Sequence, residues 1–472
     1  MNHIKRELHT HLIGVGGIGM SAVAQVLRSR GDRVSGCDIR PSPLTAKLEG
    51  LGIAFSEGHS PAHLAGVTRV VVSDAIRHDS PELLHARELN LPVLRRSQLV
   101  GELMAEKRGI AVAGTHGKTT TTAMVGFILA QAGLDPTVLV GGELPAFGGN
   151  ARIGSGDFFV AEACEAYESF LDLEPEIAVV TNVEAEHLDH HKSEQGLIES
   201  FAKFLGNIRD GGRVVFCADD PRATSLAIDA SAEAVSYGTA AQALFRAVDI
   251  GDDGLGMRFV AVHPHGRVDA RLPVPGRHSV LNALGAMAAC ALAGVNPEQS
   301  VRILECYGGV ERRFQVTTTA SGVTVVDDYA HHPTEVRAVM ATARPRCTGA
   351  LVVVFQPHLY SRTRDFLDAF ADALALADRV IVTDAYAARE EPSAGLNGDA
   401  IVEALRKRGK EDTHFRAQKD EVAGVLSETL SAGDWVLVLG AGDIGSVAVN
   451  LVERLGRCTP AQAVEGRPAC TG

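Results

Sequence analysis

The chain has 472 residues, 46% of them hydrophobic and 22% charged, a globular balance whose length suits about three domains of roughly 150 residues each. Its 45 Lys and Arg against 58 Asp and Glu give a formal net charge of −13, which excludes a general binder of nucleic acid or anionic membrane; any phosphate must be held locally. No stretch reaches the ~18 apolar residues of a membrane span, and Met1 to Thr10 lacks the apolar core of a signal peptide, so a soluble, cytoplasmic protein is expected. The eight cysteines are scattered without a Cys-x-x-Cys pair, which predicts reduced thiols and neither a disulfide framework nor a structural zinc site.

Along the chain, short Val/Ile-rich runs alternate with turn signals and helical periodicity, the pattern of parallel strands buried by crossover helices. The class is therefore α/β. His11-Leu12-Ile13 enters a glycine turn and a helix predicted from about Ser21 to Arg30, with further strands at Val34 to Asp38 and Arg69 to Val72. The charged stretch Glu102 to Arg108 reads as a linker. A second set of strands is predicted at Ile110 to Ala113, Phe158 to Ala161, Ile177 to Val180 and Val214 to Phe216. A third set lies at Val323 to Val326, Leu351 to Phe355, Val380 to Thr383 and Trp435 to Leu439, beyond a boundary near Arg313 to Thr319.

Gly14-Val15-Gly16-Gly17-Ile18-Gly19 fits G-x-G-x-x-G between a strand and a helix, where backbone amides and the helix dipole can hold a phosphate. Asp38, at the end of the next strand, is placed to bind a ribose. A nicotinamide dinucleotide site, or a glycine turn serving only tight packing, fits the same pattern. Gly114-Thr115-His116-Gly117-Lys118-Thr119-Thr120 lies at another strand-to-helix junction and has the parts of a phosphate loop, although two residues rather than four separate its glycines. Lys118 can reach the β and γ phosphates and the Thr119 hydroxyl can bind Mg²⁺.

Glu162 and Glu165 follow one predicted strand, and Thr181-Asn182, Glu184, Glu186 and His187 follow another, so carboxylates and an imidazole converge at neighbouring strand ends. Gly276-Arg277-His278-Ser279 opens a small-residue helix that carries Asn282. Asp327-Asp328-Tyr329-Ala330-His331-His332-Pro333 and Gln356-Pro357-His358-Leu359-Tyr360-Ser361-Arg362 each follow a strand, and their acids, histidines and arginine suit an anionic substrate.

Taken in order, these motifs, with Arg312-Arg313-Phe314, resemble the Mur ligases of bacterial cell-wall synthesis over nearly the whole chain. The resemblance implies three domains: a Rossmann-like UDP-sugar domain at residues 1–106, a central ATP-binding phosphate-loop domain at 107–315, and a Rossmann-like C-terminal domain at 316–472. It implies ATP-dependent joining of L-alanine to the lactyl carboxylate of UDP-N-acetylmuramate through an acyl phosphate, with Mg²⁺; the alternative is a recycling member that joins a preformed peptide. On the same resemblance Gly16, Gly17, Ile18, Gly19, Met20, Asp38, Ser73 and Arg96 face the UDP-sugar. Gly114, Thr115, His116, Gly117, Lys118, Thr119, Thr120, Asn282, Arg313, Asp328 and Tyr329 face ATP, and Thr119, Glu162 and His187 hold the metals. His331, His358 and Arg362 line the place where ATP and alanine meet, and Lys118, Glu162, His187 and Arg313 carry the catalysis. Ser279 and Leu359 stand where the family commonly has Asn and Arg, which leaves Arg362 as the carboxylate partner. A monomer or a homodimer is expected.

Overall fold

The computed structural model describes residues 8–184, 191, 193–388, 390–391 and 397–457. It is α/β throughout, with three mainly parallel sheets in chain order. The first has five strands, β1 (His9–Ile13), β2 (Arg33–Asp38), β3 (Ala54–Glu57), β4 (Arg69–Val72) and β5 (Val93–Arg95), in the order β3-β2-β1-β4-β5. Because β1 pairs with β2 on one side and β4 on the other, the chain reverses direction across the sheet at the carboxyl end of β1, where ligand crevices form.

The second sheet has ten strands, and its centre is β6 (Arg108–Ala113) between two parallel neighbours, Ile177–Val180 and Phe158–Glu162. Thr137–Leu144 lies beyond Phe158–Glu162 and pairs antiparallel with Gly149–Arg152 at the sheet's edge. The third sheet has six strands, all parallel except its first, Gln315–Thr318. In its strand Leu351–Phe355, Leu351, Val353 and Phe355 join one apolar cluster while Val352 and Val354 join another. That period of two with both faces covered explains the unbroken Val-rich run.

The chain divides into two compact units, residues 1–253, 258–273 and 279–308 in one, and 254–257, 274–278 and 309–472 in the other. Within the first unit one core runs through both sheets, from Leu12, Met20 and Val23 to Ala111, Leu139, Phe170 and Phe201.

The stretch Glu102 to Arg108 is not a linker. A helix occupies Arg96–Ala105 and β6 starts at Arg108, because Leu99, Val100, Leu103 and Met104 form an apolar stripe that is buried beneath the charged positions. Cys37, Cys164, Cys217, Cys290 and Cys347 are free thiols, whereas Cys306 is disulfide-bonded, a departure from the expectation of reduced thiols throughout. Among the described residues no helix is long and apolar enough to cross a membrane.

Candidate active site

The first glycine loop leaves β1 by a turn that only glycine adopts easily: Gly14 has φ +86°, and a Cβ there would lie 3.0 Å from the Ser73 Cβ. The amides of Gly14 and Val15 both donate to the Cys37 carbonyl, at 2.8 and 2.9 Å. Asp38, predicted at the ribose, accepts the Gly16 amide at 2.9 Å through Oδ2, so its carboxylate shapes the loop itself. The helix Ile18–Ser29 then starts from Gly17 with no side-chain cap and no acid in its first turn. Its first amides and the positive end of its dipole therefore suit an anionic ligand.

Arg96 stands against Gly19, where a Cβ would meet Nη1 at 3.1 Å. Gly17, Ile18, Gly19, Met20, Ser73 and Arg96 form one wall of a cavity of about 260 Å³, and Val140, Gly141, Ala161, Glu162 and Cys164 form the other. The structure thus brings Gly17, Ile18, Gly19, Met20, Ser73 and Arg96 together with Glu162 at one cavity within the first unit, whereas Gly16 and Asp38, paired with each other, do not line it. The two walls are tied together by Asn150, fully buried, whose Nδ2 donates to the Ile18 carbonyl at 2.5 Å and Ser21 Oγ at 2.9 Å while Oδ1 accepts from Gln25 at 3.2 Å.

The second loop joins β6 to the helix Lys118–Gln131. Gly114 has φ +130° and a Cβ there would fall 2.0 Å from Thr181 Oγ1; Gly117 has φ +81° and its Cβ would fall 2.5 Å from Asn282 Oδ1. A side chain would be strained and crowded at either place, which explains why both positions are glycine. Asn182 braces the loop from the next strand end: its Oδ1 accepts the His116 amide at 2.8 Å and its Nδ2 donates to the His116 carbonyl at 3.0 Å. Thr181 Oγ1 donates to the same carbonyl at 2.6 Å. Thr115 Oγ1 accepts the Glu184 amide at 2.9 Å, and His116 Nε2 lies 3.5 Å from the Glu184 carboxylate.

Lys118 Nζ donates to the carbonyls of Gly114 and Thr115 at 2.5 and 3.0 Å and pairs with both oxygens of Glu165 at 3.0 and 2.9 Å. The resemblance gives Glu165 no role of its own, although its position three residues after Glu162 at a strand end was the available signal. Thr119 is buried and Thr120 partly exposed on the helix's first turn. Glu162 Oε1 accepts the Gly141 amide at 2.6 Å, which fixes the carboxylate on its own wall of the cavity. His187 lies outside the described residues.

In the second unit, Asp328 ends the strand Thr324–Asp328 and accepts the amides of Phe314 and Ala330, each at 2.7 Å. Burial pushes its carboxyl up to about 6, against the opposing pull of Arg313 and of the two amides. The Arg313 guanidinium lies 5.1 Å from the Tyr329 ring centroid. His331 packs edge-on to Tyr329 at 5.5 Å and to His358 at 5.8 Å, and Arg362 Nη1 donates to His358 Nδ1 at 3.3 Å. Arg313, Tyr329, His331, His358 and Arg362 therefore form one continuous row. Leu359, between His358 and the helix Tyr360–Asp365, has φ +69°, held by its amide on the Tyr386 carbonyl at 3.0 Å and its carbonyl on Thr363 Oγ1 at 2.9 Å.

Three family models match successive segments: the Mur ligase family catalytic domain over residues 9–108, the Mur ligase middle domain over 112–290 and the Mur ligase glutamate ligase domain over 312–442. The chain belongs to the Mur ligase family. A UDP-N-acetylmuramate--L-alanine ligase of Anaeromyxobacter sp. (strain Fw109-5) is 44% identical over 450 residues, covering 95% of this Mur ligase and 98% of the relative. A protein of the same description from Stenotrophomonas maltophilia (strain K279a) is 44% identical over 93% of this chain and 94% of its own. Among solved structures, a UDP-N-acetylmuramate-alanine ligase of Thermotoga maritima superposes with a TM-score of 0.81 at 32% identity, covering 95% of this Mur ligase and 99% of that chain. A murein peptide ligase of Psychrobacter arcticus 273-4 shares the fold, with a TM-score of 0.72 at 23% identity.

Proposed function

We infer that this Mur ligase joins L-alanine to the lactyl carboxylate of UDP-N-acetylmuramate at the cost of ATP, an early step of peptidoglycan precursor synthesis. The 44% identity to alanine ligases over nearly the full length of both chains supports this reading above that of a peptide-recycling ligase. The observation that carries the chemistry is the shared cavity. The uncapped helix start at Gly17, with Ser73 and Arg96, suits the anionic nucleotide-sugar, and Glu162 faces it from the sheet that carries the phosphate loop.

A carboxylate acylates an amine poorly because oxide is a poor leaving group, and transfer of the γ-phosphoryl group of ATP to it supplies a good one. The acyl phosphate is then displaced by the amine of alanine, leaving amide, ADP and phosphate. Both partners of the first step are anions, so the protein's part is positioning and charge compensation. Lys118 meets the phosphates, the glycine-loop amides wrap them, and Asn282 beside Gly117 faces the adenosine side. Glu165 holds the Lys118 ammonium in place from a buried position.

The Thr119 hydroxyl and the Glu162 carboxylate are hard oxygen donors that fit Mg²⁺, and Mg²⁺ bound there supplies further charge compensation between carboxylate and phosphate. In the C-terminal segment we assign Arg313, Asp328 and Tyr329 to ATP, and His331, His358 and Arg362 to the alanine carboxylate and acyl phosphate. Residues 1–106, 107–315 and 316–472 are the corresponding functional segments, and nucleotide substrates of this kind place the reaction in the cytoplasm.

Phosphate release from ATP and Mg²⁺ with UDP-N-acetylmuramate tests the assignment, run without acceptor, with L-alanine, and with an L-alanyl-γ-D-glutamyl-diamino acid peptide. Release that requires L-alanine, with a product heavier by one alanyl residue, supports it. Release only with the peptide transfers the chain to recycling, and no release with either acceptor removes the ligase reading.

A further inference from the structure

Away from the cavity, on the opposite side of β1, the first sheet buries a group of side chains that the ligase chemistry does not use. His11 lies on β1, Cys37 on β2, His63 in the 3₁₀ turn Pro61–Leu64 and Glu82 in the helix Pro81–Glu88. Glu82 is fully buried and His11 is 1% exposed, within an apolar cluster that includes Ile13, Leu64, Val67 and Val70. A carboxylate in such a place needs cationic or metal partners.

The four side chains converge. Glu82 Oε1 lies 3.0 Å from His11 Nε2 and 3.1 Å from His63 Nδ1, Glu82 Oε2 lies 2.9 Å from Cys37 Sγ, and all four donors fall within 4.8 Å of one another. A tetrahedral zinc ion with N or O at about 2.0 Å and S at about 2.3 Å sets its ligand atoms about 3.3 to 3.6 Å apart. The three spacings to Glu82 are a few tenths of an ångström shorter than that and the whole set lies within 4.8 Å, so seating an ion asks only small side-chain shifts. His11 Nε2 faces the Glu82 carboxylate at 3.0 Å, so the imidazole nitrogen and the carboxylate oxygen are turned toward each other in the buried cluster. Its other nitrogen, Nδ1, is 2.8 Å from Ser35 Oγ, which also meets His9 Nε2 at 2.8 Å, so the imidazole is oriented from behind as metal-bound histidines are.

We propose that His11, Cys37, His63 and Glu82 bind one zinc ion. Thiolate, two imidazoles and a carboxylate are a borderline-soft set that suits zinc rather than the magnesium of the phosphate loop. His59, with Nδ1 3.2 Å from Cys37 Sγ and 3.4 Å from Glu82 Oε2, supports the set from outside. The role is structural. Cys37 supplies the carbonyl that anchors Gly14 and Val15, and the next residue, Asp38, holds Gly16, so an ion on the thiolate fixes the strand end beneath the first glycine loop.

The test uses tag-free, full-length protein exposed to zinc, desalted and assayed for metal by mass spectrometry, with a parallel cobalt-loaded sample read by absorption. The proposal expects one equivalent of zinc to be retained, and cobalt to show tetrahedral d–d bands with a near-ultraviolet thiolate charge-transfer band. Both signals are lost in Cys37→Ser and in Glu82→Gln, and both persist in Lys118→Ala, which disables only the phosphate loop. If Cys37→Ser fails to fold by circular dichroism, His63→Ala, at the cluster's partly exposed edge, carries the same expectation. Wild-type protein with no more zinc than the variants, or a cobalt spectrum without the thiolate band, overturns the proposal and leaves a buried hydrogen-bonded network.

Discussion

The Lys118 ammonium sits 2.9 and 3.0 Å from the two carboxylate oxygens of Glu165, and Glu165 is 1% exposed. The phosphate-loop lysine is thus held by an acid at the end of the neighbouring strand as well as by the carbonyls of its own loop. Lys118→Ala removes the charge assigned above to the phosphates and is expected to lower kcat by at least about a hundredfold. Binding of UDP-N-acetylmuramate should be unchanged, because its loop lies on the other sheet. Phosphate release and titration calorimetry check the two halves of that statement; near-normal amide formation would remove Lys118 from its role.

Glu165→Gln leaves Lys118 partly buried without its counter-charge. Loss of one partner from such a pair costs about 3 kcal/mol, and the variant should unfold at a correspondingly lower denaturant concentration. Because the ammonium also loses its fixed position, the KM for ATP should rise together with the loss of stability. A change in stability alone would make Glu165 purely structural.

Asn150 is the buried tie between the helix Ile18–Ser29 and the edge strand Gly149–Arg152. Asn150→Ala removes three buried hydrogen bonds, to the Ile18 carbonyl, Ser21 Oγ and Gln25 Nε2, for a loss of about 1 to 3 kcal/mol, while Ser21 Oγ keeps its own bond to the Ile18 carbonyl. The larger effect is expected in the KM for the nucleotide-sugar, since Ile18 lines the cavity; steady-state kinetics against both substrates would separate it from an effect on ATP.

Asp328 sets a pH dependence. Its folded carboxyl titrates at about 6 through burial, whereas an unfolded aspartate titrates near 4. Between those values the folded chain keeps a proton that the unfolded chain has released, so stability falls as pH rises through the window and is lower by on the order of 3 kcal/mol above it. His278, held near 4 by burial, acts in the opposite sense, so the difference between Asp328→Asn and wild type isolates the aspartate. Melting temperatures from pH 4 to 7 should show that difference changing in the variant's favour with rising pH. A constant difference would mean that Asp328 does not titrate there.

Both glycine loops were legible in the sequence because their requirements are local: a positive φ, room for a close neighbour, and in the second a lysine one position on. The parallel sheets were legible for the same reason, since a strand buried on both faces, such as Leu351–Phe355, is apolar throughout. Asn150 was not legible, because its meaning comes from Gln25, 125 residues away. Nor was the zinc-type cluster, whose Cys37 and Glu82 are 45 residues apart and share no motif. The pair His59 and His63, four residues apart, was the one local hint. Glu102 to Arg108 misled because its charges conceal Leu103 and Met104, whose burial only the packed sheet reveals.

The unprotected beginning of the helix Ile18–Ser29 makes this segment's rigidity conditional. A serine or aspartate at Gly17 would fasten the helix permanently, yet it would fill the place proposed for the nucleotide's charge. On the function proposed above, glycine leaves the first turn to be completed by substrate, and its amides should exchange with solvent readily in the free protein and slowly once UDP-N-acetylmuramate is bound. If they do, the supply of that precursor sets how firmly this part of the chain is folded.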